Sequence, residues 1–129
     1  MTTNTVLRDE PLPVGLNWYA QHCHDANQKW WFDPATGERL PVNKAEKIAL
    51  IHSEISEALE GERKNLMDDH LPHRRAAEVE FADALIRIFD YCGAFQYDLE
   101  GAFREKMEYN KTRQDHTKEA RLSKHGKRF

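Results

Sequence analysis

Hydrophobic positions along this chain recur at three- and four-residue steps and nowhere alternate over several residues, a pattern that predicts helices and no strands. The first helical stretch runs from Val14 to about Trp31, with Leu16, Tyr19, Ala20, Cys23, Ala26 and Trp30 on the repeating positions. Asp33-Pro34-Ala35-Thr36-Gly37 then reads as a turn, and Pro41 keeps the following segment out of a helix. Asn43 is a good N-cap, and Glu46 completes a capping box. The helix it opens should run to about Lys64, with Ile48, Ile51, Ile55, Ala58 and Leu59 as its apolar stripe. Gly61 weakens that helix without interrupting its pattern. Asn65 to Pro72 is polar and reads as a connecting loop.

A third helix is expected from about His73 or Arg74 to Cys92, with Gly93 as its C-cap. Most of its positions are apolar, so it should be buried on most of its circumference. A fourth opens near Asp98, carries Leu99, Ala102, Phe103, Met107 and Tyr109, and fades after Arg113. Residues 1–13 form a polar arm ending in Pro11 and Pro13, and residues 114–129 form a basic tail. The expectation is an all-α protein, a four-helix-bundle-like domain over residues 14–113 with short loops and antiparallel neighbours.

Composition narrows the class. A chain of 129 residues with 32% charged positions suits one charge-rich helical domain that oligomerisation would help to stabilise. A formal net charge of −3 argues against nucleic acid as a partner. Cys23 and Cys92 lie far apart and Cys92 sits in an apolar run, which points to free thiols and a reducing cytoplasm. No apolar run is long enough to span a membrane, and the first residues lack the features of a signal peptide.

The candidate chemistry lies in carboxylates at helical spacing. On the third helix Glu80, Asp83, Arg87 and Asp90 fall at steps of three, four and three, forming one polar stripe. The stripe is either the solvent face or a site. On the second helix Glu54 and Glu57 are three apart, so their carboxylates share one face, and Glu54 lies at the edge of the apolar stripe. If the two helices pair antiparallel, Glu54 and Glu57 face Glu80 and Asp83. Four such charges repel unless a hard divalent cation sits among them, and all-oxygen ligation suits Mg²⁺, with Mn²⁺ as a substitute. Scattered surface acids are the alternative. A di-iron carboxylate bundle wants Glu-x-x-His on two helices, and none is present. An HD-type phosphohydrolase, suggested by His24-Asp25, needs more His and Asp ligands in a different order.

Here the chain resembles a known family. Glu54-Ile55-Ser56-Glu57, followed after residues 58–79 by Glu80-Phe81-Ala82-Asp83-Ala84-Leu85-Ile86, resembles the Glu-x-x-Glu … Glu-x-x-Asp signature of the MazG-like all-α nucleoside triphosphate pyrophosphohydrolases. Lys106-Met107-Glu108-Tyr109-Asn110-Lys111-Thr112-Arg113 is similar to that family's Lys-x-x-x-Asn-x-x-Arg segment. The resemblance covers roughly residues 16–113; the N-terminal arm, the Phe32–Val42 turn and the basic tail have no counterpart in it. It implies the MazG fold and a homodimer or homotetramer. It also implies hydrolysis of a (deoxy)nucleoside triphosphate to the monophosphate and pyrophosphate, a reaction that controls the deoxynucleotide pool.

In that reading Glu54, Glu57, Glu80 and Asp83 are the metal ligands and catalytic carboxylates, and one of the glutamates takes the proton from water. Lys106, Asn110 and Arg113 share a face of the fourth helix and would meet the phosphates; a solvated basic helix end is the alternative. His24, Asn27 and Trp31 recur at three- and four-residue steps and would contact the base, as a similar His…Asn…Trp segment does before the metal helix in several family members. Trp30 serves equally well as a core or subunit-interface residue. Pyrimidine and guanine deoxynucleotides both remain open as substrates. A non-catalytic helical adaptor, indifferent to magnesium and triphosphates, is the competing class.

Overall fold

The computed structural model describes residues 15–112 and is all-helical. The expected arm, the basic tail, Val14 and Arg113 lie outside the described residues. The described residues form four α-helices in order: α1 (Leu16–Ala26), α2 (Lys44–Lys64), α3 (Ala76–Ala94) and α4 (Leu99–Thr112). The chain divides into two compact units, Met1–Tyr97 and Asp98–Phe129. The first holds α1 to α3, and the second holds α4.

Helix α1 stops earlier than its apolar period suggests. It ends at Ala26 with Asn27 as C-cap, and Gln28–Trp30 continue as one 3₁₀ turn. The Asn27 side chain explains the break: Nδ2 donates to the Cys23 carbonyl at 2.7 Å, a local bond that competes with helix propagation. The chain then reverses in a tight hairpin. Asp33 Oδ1 accepts from the Ala35 amide at 2.8 Å, and Gly37 takes φ +74°, a conformation suited to a residue without Cβ. Phe32 and Arg39 pair as an isolated antiparallel bridge.

Helix α2 starts and stops as its capping residues dictate. Asn43 Oδ1 accepts from the Glu46 amide at 3.1 Å. At the other end Asn65 adopts the left-handed region (φ 52°), and the Leu66 amide donates back to the Gly61 carbonyl at 3.0 Å. The connection to α3 is ordered by its own bonds. Asp68 Oδ2 accepts from the His70 and Leu71 amides at 3.0 and 2.8 Å, and Met67 bridges to Arg75. These bonds keep Arg74 and Arg75 in the loop, so α3 begins at Ala76 rather than at His73 or Arg74. Glu78 caps it by accepting from the Arg75 amide at 3.0 Å.

Gly93 does not end α3. The helix runs through it to Ala94, and the residue with positive φ is Gln96. Gly93 is instead a contact point: a Cβ there would lie 2.3 Å from the Ala20 carbonyl oxygen and 2.8 Å from the His24 Cβ. Gly61 plays the same part at the other helix, where a Cβ would lie 3.0 Å from the Ala76 Cβ. These pairs fix the topology. Ala20 opposes Gly93 and His24 opposes Asp90, so α1 runs antiparallel to α3. Gly61 opposes Ala76 and Glu54 opposes Arg87, so α2 does likewise. Helix α3 is therefore the central element, flanked by two helices that it holds at short range through small residues.

Among the described residues the core is correspondingly lean: Ala20, Ala58, Ala77, Ala84 and Cys92, with Trp31 at 1% exposure as the one fully buried large side chain. Trp31 packs edge-on against Phe95 and His24. Of the stripe expected to bury α2, only Ala58 is buried; Ile48, Ile55 and Leu59 are 43–61% exposed. Helix α3 likewise leaves Phe81, Leu85 and Ile86 about half exposed, so it is not buried around most of its circumference. The reason is which edge of α2 meets α3. The contact edge is Glu54, Ala58 and Gly61, and the isoleucine–leucine stripe lies roughly 110° around the helix from it.

Close approach at Gly93 outweighs its poor helix propensity. We expect Gly93→Ala to destabilise the protein by about 1–3 kcal/mol, read as a lower Tm in thermal unfolding, although alanine is the better helix former. A raised Tm would contradict the packing described.

Candidate metal centre

Glu54 and Glu57 reach the seam from α2, and Glu80 and Asp83 reach it from α3, because antiparallel pairing sets the two three-residue steps opposite each other. One carboxylate oxygen each from Glu54, Glu57 and Glu80 lie within 4.8 Å of one another. Glu54 is buried, Glu80 half-buried and Glu57 exposed, so the cluster opens to solvent on one side. Asp83 lies close enough for the Glu54 charge to act on it.

The electrostatic cost is visible at Glu80. Its burial, followed by the charges of Glu57, Glu54 and Asp83 and a hydrogen bond with Glu57, pushes its carboxyl up to about 7. The Asp83 carboxyl is also raised, first by burial and then by the Glu54 charge, with Arg87 opposing. Arg87 bonds to the cluster: its Nε donates to Glu54 Oε2 at 3.0 Å, linking a half-exposed guanidinium to a buried carboxylate. That pair offsets part of the charge on Glu54 and leaves Glu57 and Glu80 facing each other. Hard oxygen donors converging at this range suit a small divalent cation such as Mg²⁺ or Mn²⁺.

Next to the cluster lies a cavity of about 600 Å³, lined by residues of the α1–α2 connection, α2 and α3. Glu54 and Asp83 stand in its wall, as do Lys47, Arg87 and Asp90. Of the residues expected to contact a base, Asn27 and Trp31 line this cavity. Trp31 is buried, with the Lys47 ammonium 4.3 Å from its ring centre. His24 sits behind it, with Nδ1 3.0 Å from Asp90 Oδ1, and the same oxygen accepts from Trp31 Nε1 at 2.8 Å. Trp30 also lines the cavity and is 59% exposed.

The residues expected to meet phosphate belong to the other unit. Lys106 and Asn110 stand one turn apart on α4; the Lys106 ammonium lies 4.9 Å from the Tyr109 ring centre, and Asn110 Oδ1 is buried without a hydrogen-bond partner. Arg113 lies outside the described residues.

Two features were beyond the spacing argument. Arg87 and Asp90 belong to the stripe of Glu80 and Asp83, but only the tertiary structure pairs one with Glu54 and the other with Trp31 and His24. Lys47 carries no sequence signal beyond its charge.

Comparison of the chain with protein-family models, with curated proteins and with solved structures finds no match.

The raised carboxyl of Glu80 has a consequence for stability. An acid whose folded-state pKa exceeds its unfolded value binds more protons when folded, so folding weakens as pH rises between the two. Without divalent metal, the protein should gain stability as pH falls from about 7 toward about 5, and Glu80→Gln should flatten that dependence. Thermal unfolding in chelator across that range measures it; stability that rises with pH over the same window would contradict the arrangement.

Proposed function

We propose that this chain is a MazG-like nucleoside triphosphate pyrophosphohydrolase that uses Mg²⁺, or Mn²⁺ in its place, held by Glu54, Glu57, Glu80 and Asp83. The observation that carries the reading is the convergence of the Glu54, Glu57 and Glu80 oxygens within 4.8 Å across the α2–α3 seam, at the cost of raising Glu80 to about 7. Like charges held this close favour a ligand that neutralises them. A triphosphate is itself polyanionic, so an acidic site accepts it only with cations between. Bound there, divalent ions would neutralise charge on the phosphate oxygens and acidify the attacking water.

The reaction balances simply. Water attacks the α-phosphorus, the bond to the α–β bridging oxygen breaks, and the products are the monophosphate and pyrophosphate. A seam glutamate accepts the proton lost by water. Lys47 and Arg87 in the cavity wall are cations available to phosphate oxygens. The 600 Å³ cavity beside the cluster supplies room for the sugar and base. The biological task would be removal of an unwanted or excess deoxynucleotide in the cytoplasm.

We also propose that the active form is a homodimer or a homotetramer. Support comes from the surface: Ile55, Leu59, Phe81 and Leu85 are 46–61% exposed, on helices whose buried residues are small apart from Glu54. No described helix is long and apolar enough to cross a membrane.

Incubation with each common (d)NTP and Mg²⁺, followed by chromatographic separation, should yield monophosphate and pyrophosphate. Glu54→Gln and Asp83→Asn should each lower turnover by about a hundredfold or more, beyond what outer-sphere changes at metal sites cost. Release of orthophosphate would sink the reaction assignment. A non-catalytic adaptor would show neither turnover nor a rise in Tm with divalent metal and a non-hydrolysable triphosphate.

A further inference from the structure

Resting on the pyrophosphohydrolase reading, we infer that the cavity selects a nucleobase bearing an exocyclic amine, and that Asp90 is the residue that reads it. Asp90 is held through one of its two oxygens. Trp31 Nε1 donates to its Oδ1 at 2.8 Å, and His24 Nδ1 lies 3.0 Å from that same oxygen. Both contacts fall on one oxygen, so Oδ2 is left as an acceptor on a residue that lines the cavity. Trp31 is fully buried, which fixes the donor and therefore the carboxylate.

Asn27, which lines the same cavity, is oriented by a bond of its own. Its Nδ2 donates to the Cys23 carbonyl at 2.7 Å, so its Oδ1 is also left to accept. Asp90 and Asn27 therefore offer acceptors to the cavity, beside the Lys47 ammonium 4.3 Å from the Trp31 ring centre, and a carboxylate cannot change roles by rotating, because an ionised one accepts only.

Position along α3 separates Asp90 from the metal cluster. Asp83 and Asp90 are seven residues apart, about 10 Å along the helix axis. That is of the order of the reach from an α-phosphate across the sugar to the far edge of a base. With phosphates at the Asp83 end, the base edge comes to Asp90, in a cavity that Trp30 and Tyr91 also line.

The chemistry then discriminates. Cytosine and adenine present an amino group at the position where uracil, thymine and hypoxanthine present a carbonyl oxygen, and guanine carries an amine on C2 that hypoxanthine lacks. An amine satisfies a carboxylate. A carbonyl set against it leaves two acceptors facing each other with no proton between them, which is the expensive way to bury polar groups. The plainer role for Asp90 is as a clamp holding Trp31 and His24 to α3. A clamp would affect all substrates alike, which makes base preference the readout that separates the two.

The test uses the full chain with Mg²⁺ and measures kcat/KM for three matched pairs: dCTP against dUTP, dATP against dITP, and dGTP against dITP. We expect the amino member to be preferred in at least one pair by about tenfold or more, and Asp90→Asn, which keeps an oxygen for Trp31 but replaces the other with a donor, to erase or invert that preference. No preference for an amine in any pair, or an Asp90→Asn variant that slows every substrate equally, overturns the inference while the hydrolase reading stands. If no triphosphate is cleaved, the hydrolase reading fails. Quenching of tryptophan fluorescence by deoxycytidine against deoxyuridine, and by deoxyadenosine and deoxyguanosine against deoxyinosine, then decides the pocket alone. An amine preference lost in Asp90→Asn supports it, and equal binding overturns it.

Discussion

Like-charge repulsion across the seam of α2 and α3 is the constraint around which the unit Met1–Tyr97 is organised. Two helices that bury alanines and a glycine against each other come close enough to press carboxylates from both sides into one small volume. A longer-range contact, made through leucines and isoleucines, would have spread those charges into water. The small residues at the seam are therefore part of the site, since they set the distance at which the acids meet. Glu80 carries much of the consequence, with its proton held to about neutral pH. Arg87 compensates in part by pairing with the most buried member, Glu54.

The same geometry explains the surface. An edge of α2 that is committed to carboxylates and small residues cannot also bury its isoleucine–leucine stripe, so that stripe faces outward. Helix α3 shows a matching set of half-exposed large residues in Phe81, Leu85 and Ile86. Site and apolar surface are thus two outcomes of one choice of helix face. Assembly with further copies would cover what the seam leaves open.

Local chemistry was legible in the sequence, and tertiary choices were less so. Asn43 with Glu46 marked the start of α2, and its end at Lys64 was readable as well, because capping is decided within a few residues. The end of α1 was misplaced, since the apolar period continues to Trp30 while the Asn27 side chain bonds its own backbone. Gly93 was misread as a cap because a glycine near a helix end usually is one. Its actual use, letting Ala20 approach, depends on a helix more than seventy positions away. The i, i+3 carboxylate pairs were readable, because spacing fixes which side chains share a face. Their partners Arg87 and Asp90 were named in the stripe, yet nothing local shows that one meets Glu54 and the other meets Trp31.

The central claim is that the carboxylates of α2 and α3 form one cage for a divalent cation. Anomalous diffraction from crystals grown with Mn²⁺ addresses it most directly. The account predicts an anomalous peak at the seam, about 2.0–2.2 Å from oxygens of Glu54, Glu57 and Glu80. Crystals saturated with Mn²⁺ that show no peak there, with the acidic side chains turned apart into solvent, would contradict it.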